Sequence, residues 1–95
     1  MKTVRIFISG TVQGVFFRGF IKKEAENLAL KGYVRNLEDG RVETVVEGPE
    51  NEINKMIEIC KQGPAHSRIK EIEIEKLSNL GFTDFRILRF WEIIY

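Results

Sequence analysis

The chain is poor in the residues from which most reactive or cross-linked sites are built. Its 95 residues hold one cysteine, one histidine, one tryptophan and two prolines, and nowhere a long uninterrupted apolar run. A single cysteine, Cys60, excludes an intramolecular disulfide and fits a reducing compartment. It shares the spacing of Ile53, Met56 and Ile57, so a buried structural thiol is expected rather than a nucleophile. With one cysteine and one histidine, His66, no familiar zinc set can be completed. The lack of an apolar stretch of ~20 residues argues against a membrane-spanning helix, and the N-terminus has no apolar signal segment, so a cytoplasmic location is expected. Nor is there an excess of either charge. Fifteen Lys and Arg against fourteen Asp and Glu give a formal +1, which does not suit a dedicated nucleic-acid surface. Any specific recognition of an anion must therefore be local.

What is present is enough for one globular domain over residues 1–95, since 43% hydrophobic residues supply a core and 31% charged residues a soluble surface. A strand is predicted over residues 2–9, with Val4, Ile6 and Ile8 alternating onto one face. A helix follows over 17–30, its stripe made by Phe17, Phe20, Ile21, Ala25, Leu28 and Ala29, with Gly32 as its stop. Residues 33–38 and 41–47 read as a hairpin about Asp39-Gly40, a pair suited to a turn with two positive φ values. A second helix is expected over 51–62, with capping and acidic residues from Glu50-Asn51-Glu52 and Gly63-Pro64 as its end. A strand over about 67–76 alternates Ile72 and Ile74 with Glu71, Glu73 and Glu75. Ile69 has the wrong parity, which predicts a bulge. The tail from Phe85 reads as a short last strand or as an aromatic contact surface. The order βαββαβ, with one apolar face per helix, predicts a ferredoxin-like α+β sandwich: an antiparallel sheet, two helices on one side and a short extra C-terminal strand.

The stretch between the first strand and the first helix, Gly10-Thr11-Val12-Gln13-Gly14-Val15-Phe16-Phe17-Arg18, carries the chemistry. Amides at a helix start lack intrahelical partners and the helix dipole favours an anion there. Gly10 and Gly14 permit the positive φ that curls successive N–H groups into a concave nest, and Arg18 adds a permanently charged planar fork. The same stretch also reads as a plain tight turn whose glycines fit the bend. It is not a Walker-type loop, because Val15-Phe16 stands where Lys-Ser/Thr is required, and it lacks the Gly-x-Gly-x-x-Gly of dinucleotide sites. A magnesium-dependent triphosphatase is thus not indicated.

Asn36 is the second candidate. An amide is poorly placed in a strand by propensity, and it is explained either by the nearby turn or by a function. In a ferredoxin-like sheet the first two strands run parallel about 10 Å apart with the third between them, so Arg18 and Asn36 both lie towards the C-terminal ends and can reach one pocket.

The 10–18 stretch, with Gly32-Tyr33-Val34-Arg35-Asn36, Asp39-Gly40-Arg41-Val42-Glu43 and Glu47-Gly48-Pro49, resembles the acylphosphatase family in order and spacing from position 4 to about 77. The Val12-Gln13-Gly14-Val15-Phe16-Phe17-Arg18 segment is its most specific part. The resemblance implies a hydrolase, needing no metal or other cofactor, that cleaves acyl phosphates to carboxylate and phosphate. In it Arg18 and the backbone of Gln13, Gly14, Val15, Phe16 and Phe17 hold the phosphate and Asn36 holds the attacking water. Thr11, where the family often has a basic residue, and the long aromatic tail are departures. A small-molecule acyl phosphate is the implied partner, with inorganic phosphate or a similar anion as product or inhibitor. Neither nucleic acid nor membrane is implied, and a monomer is expected, with the aromatic tail available as a contact surface. The alternative is a non-catalytic ferredoxin-like module that binds an anion or RNA. For RNA, Lys31-Gly32-Tyr33 faintly matches a recognition-domain motif, but Arg35 and Leu37 follow where stacking aromatics are needed.

Overall fold

The computed structural model describes residues 1–14, 16–89 and 92. Strands β1 (Lys2–Thr11), β2 (Lys31–Asn36), β3 (Val42–Gly48), β4 (Arg68–Leu77) and β5 (Phe85–Leu88) alternate with helices α1 (Phe17–Asn27) and α2 (Glu50–Gln62). They form one sheet in the order β4-β1-β3-β2-β5. The first four strands are antiparallel neighbours, so β1 and β2 run parallel with β3 between them. β5 joins β2 in the parallel sense, which makes the sheet mixed where a wholly antiparallel one was expected. The ferredoxin-like βαββαβ order otherwise holds.

Alternation in β1 turns Val4, Ile6 and Ile8 towards the helices, where they meet Phe17, Ile21 and Ala25 of α1 and Ile53, Met56 and Cys60 of α2. Cys60 is buried, and burial pushes its thiol up to about 12, as a structural cysteine requires. The predicted bulge appears as a register shift. Ser9 faces Glu71 while Gly10 faces Ile69, which restores Ile69 to the core side.

Three local expectations are corrected. α1 stops earlier than residue 30: Ala29, at φ 56, is the left-handed residue, and Leu30 N–H donates to Ala25 O at 2.9 Å while Ala29 N–H donates to Glu26 O at 3.0 Å. Gly32 is instead a strand residue at φ 141, where an added Cβ would lie 1.9 Å from the Val45 carbonyl oxygen. In the hairpin only Gly40 has positive φ; Leu37 N–H donates to Arg41 O at 2.8 Å and Gly40 N–H to Leu37 O at 3.2 Å, closing a loop with one left-handed glycine. α2 begins on Pro49 and has no side-chain cap, with Glu50 and Glu52 in its first turn favouring the dipole.

The side of the sheet away from the helices is not open. All of β3 is buried, including Glu43 and Glu47. Glu43 lies 2.6 Å from Arg35 Nε and 3.2 Å from Arg5 Nε, and Arg5 Nη1 reaches Glu75 at 2.9 Å, so charges alternate across four strands. Glu47 Oε2 accepts from Thr3 Oγ1 and from Leu80 N–H, both at 2.6 Å, and Oε1 accepts from Gly81 and Phe82 N–H at 2.9 Å. The loop before β5 is thereby wrapped around one carboxylate. Burial works against the charged form of Glu47, but the Thr3 hydroxyl and the three amides outweigh it and hold the carboxyl below its ordinary value. Tyr33 is buried under Phe82, ring centroids 6.0 Å apart, and burial together with the Glu43 carboxylate pushes its phenol up to about 12. The expected tail surface involves Phe90, Trp91 and residues 93–95, which lie outside the described residues.

Candidate active site

The loop between β1 and α1 is pinned at both ends by core side chains, Val12 at 1% exposure and Phe17 at 2%. Between them the backbone turns through left-handed conformations, Gly14 at φ 77 and Phe16 at φ 59. For Phe16 that conformation costs about 1–2 kcal/mol. Val15 lies outside the described residues.

Gln13 fixes where the loop sits. Its Nε2 donates to Leu37 O at 2.9 Å and Arg41 O at 3.0 Å, the two carbonyls at the mouth of the β2–β3 hairpin. Asn36, the last residue of β2 and the partner of Val42, precedes Leu37 directly. The loop and the Asn36 end of β2 are therefore stitched together by one side chain. Sequence reasoning gave Gln13 only a backbone role; a polar side chain flanked by buried Val12 and the turn at Gly14 was the available signal.

α1 opens on Phe16 with no side-chain cap and no acidic residue in its first turn, and its first backbone bond runs from Phe20 N–H to Phe16 O at 3.0 Å. The earlier amides thus add to the positive end of the dipole without a neutralising side chain. Arg18 stands in that first turn, half-buried, with no hydrogen-bond or ion-pair partner among the described residues. The Asn36 Oδ1 is buried and has no hydrogen-bond partner among the described residues. A buried amide oxygen without a partner is unfavourable by about 1–3 kcal/mol, so its retention at a strand end needs a reason outside the fold. Gln13 thus ties the loop that leads into the uncapped helix start and Arg18 to the hairpin mouth next to Asn36, and neither polar group has a partner among the described residues.

Two clefts lie elsewhere. One of about 440 Å³ is lined by Tyr33, Leu80, Phe82, Asp84, Arg86 and Leu88 among others, and one of about 660 Å³ by residues of the β1 start and the β4 end. Neither includes Arg18 or Asn36, and a site made of amides and a guanidinium does not need depth to hold a small anion. His66 is exposed at φ 69 in the turn before β4. Glu71, Glu73 and Glu75 are exposed, as expected.

A family model described as acylphosphatase matches residues 4–87, which spans the loop, Arg18 and Asn36. The chain belongs to the acylphosphatase family. An acylphosphatase of Syntrophus aciditrophicus is 45% identical over 89 residues, 93% of each chain. The crystal structure of acylphosphatase from Bacillus subtilis superposes with a TM-score of 0.90 at 40% identity, covering 93% of this chain and 99% of that one. The chain also superposes on part of the crystal structure of T. kodakarensis HypF, with a TM-score of 0.82 and 40% identity over 94% of this chain but only 12% of HypF.

Proposed function

We propose that this acylphosphatase-family domain hydrolyses the carboxyl–phosphate anhydride of small acyl phosphates, releasing carboxylate and inorganic phosphate, with Arg18 and the backbone amides of residues 13–18 holding the phosphoryl group and Asn36 orienting the water. The observation that carries the assignment of roles is the Gln13 stitch, which joins a loop ending in an unpartnered Arg18 to the strand ending in Asn36, whose buried oxygen is also unpartnered among the described residues. The water oxygen bonds to phosphorus while the bond from phosphorus to the carboxylate oxygen breaks. Carboxylate is a good leaving group, so positioning and charge stabilisation suffice without an activated side-chain nucleophile. Neither a guanidinium nor a carboxamide takes up a proton near neutral pH, so in this reading the water's proton passes to a phosphoryl oxygen of the substrate.

Arg18→Ala tests the assignment. Hydrolysis of benzoyl phosphate with a chelator present should fall by at least about 100-fold, with the far-UV spectrum intact; undiminished turnover would remove Arg18 from the mechanism. The RNA-binding alternative has no support on the sheet, because Tyr33, the aromatic it would use, is 5% exposed and covered by Phe82. In this reading the protein acts as a cytoplasmic monomer. Edge strand β4 favours that state. Two copies paired edge to edge with matched faces would bring Glu71, Glu73 and Glu75 opposite one another, a like-charge arrangement that resists association. Size-exclusion chromatography tests it.

A further inference from the structure

The proposed chemistry uses the backbone at residue 16 but leaves its side chain unexplained. Phe16 is 93% exposed, the most exposed of the large apolar side chains among the described residues. Its φ of 59 is one that glycine or asparagine adopts more readily than an aromatic residue. Its ring meets no other aromatic ring among the described residues, whereas the adjacent Phe17 is buried and packs on Phe20 with centroids 6.2 Å apart. The turn does not need an aromatic at this position and the core does not use one. Among the described residues nothing takes up the ring, which stands in solvent two positions before Arg18.

We infer that Phe16 is the specificity-determining residue of this site: its ring is a platform for the apolar part of the acyl group, so that acyl phosphates of aryl or bulky carboxylic acids are preferred over acetyl phosphate. This rests on the hydrolase reading above. A phosphoryl group seated on the amides of residues 13–18 leaves the acyl half of the substrate outside the loop, on the solvent side where the ring stands. An aromatic or branched acyl group then covers a ring face that water otherwise occupies, and a methyl group covers little of it. The chemistry recognised is apolar area beside a bound anion.

The test compares the wild type, Phe16→Asn and Phe16→Tyr on benzoyl phosphate and acetyl phosphate. Asparagine tolerates the left-handed backbone and removes the ring; tyrosine keeps it. The benzoyl-to-acetyl ratio of kcat/KM should fall about fivefold in Phe16→Asn and stay near the wild-type ratio in Phe16→Tyr. An unchanged ratio in Phe16→Asn, or an equal fall in both variants, overturns the inference. Calorimetric titration with phenylphosphonate and methylphosphonate makes the same comparison without turnover. If the wild type binds phenylphosphonate more tightly, loses that preference in Phe16→Asn and hydrolyses neither acyl phosphate, the hydrolase reading fails while the role of Phe16 stands. If turnover is present and neither comparison responds to Phe16→Asn, only the role of Phe16 fails.

Discussion

The side-chain amide of Gln13 donates to the backbone carbonyl of Leu37 at 2.9 Å, twenty-four positions further along the chain, and this bond brings the β1–α1 loop against the end of β2. With its companion bond to Arg41 O at 3.0 Å, it spans the hairpin mouth and ties the loop to both of its sides. Removing both bonds with Gln13→Leu should lower stability by about 1–3 kcal/mol. It should lower kcat/KM on benzoyl phosphate by about 10–100-fold, because small misplacements of positioning groups are expensive in rate. Urea denaturation and steady-state kinetics on one preparation check both. Full activity with reduced stability would leave Gln13 a purely structural tie.

Asn36→Ala separates function from folding. The substitution removes a buried oxygen that has no partner among the described residues, so stability should be unchanged or higher. If the amide orients the water, kcat should fall by about 100-fold or more while competitive inhibition by phosphate changes little. A large rise in the inhibition constant for phosphate would move Asn36 from the water to the anion.

Glu47 should set part of the acid limb of stability. Its carboxyl is held below the ordinary value of 4.5 by the Thr3 hydroxyl and the Leu80, Phe82 and Gly81 amides, against the effect of burial. A depressed folded value means that the contribution is complete above the unfolded value and disappears as the pH falls through the folded one. Glu47→Gln should therefore cost about 1–3 kcal/mol at pH 7, with the difference from wild type shrinking below about pH 4.5. Thermal unfolding of both proteins from pH 7 down to pH 3 measures it; a difference that does not depend on pH would contradict the assignment.

Gly32→Ala should destabilise by at least about 2 kcal/mol, because the new methyl would lie 1.9 Å from the Val45 carbonyl oxygen at a φ of 141. β2 would have to shift against β3. Denaturant titration checks this, and an unaffected midpoint would show that the strands separate freely at this point.

Much of the fold was readable because its signals are local. The alternation of Val4, Ile6 and Ile8, the helical spacing of Ile53, Met56 and Cys60, and the parity break at Ile69 each follow from a period of 2 or 3.6 and needed no partner to be seen. The misreadings arose where a distant neighbour decided the outcome. Gly32 looked like a helix stop, but its glycine is required by the Val45 backbone, and the stop fell on Ala29, a residue with no preference for that conformation. Glu43 and Glu47 show the same dependence on distant partners: both are buried, Arg5 and Arg35 pairing with the first and the loop 80–82 folding its amides onto the second.

The same division holds at the candidate site. The amino-acid order alone determined that a glycine-bearing turn would lead from a strand into a helix, with an arginine one residue inside it, and that an asparagine would lie towards the C-terminal end of the next strand; these are properties of neighbouring residues and their allowed backbone angles. Only the tertiary structure decided that the Gln13 amide would span the turn to the hairpin, that the Asn36 oxygen would be buried without a partner among the described residues, and that the Phe16 ring would face water. Hydrogen bonds and burial between segments distant in sequence depend on where the sheet places each strand, and no local period encodes that placement.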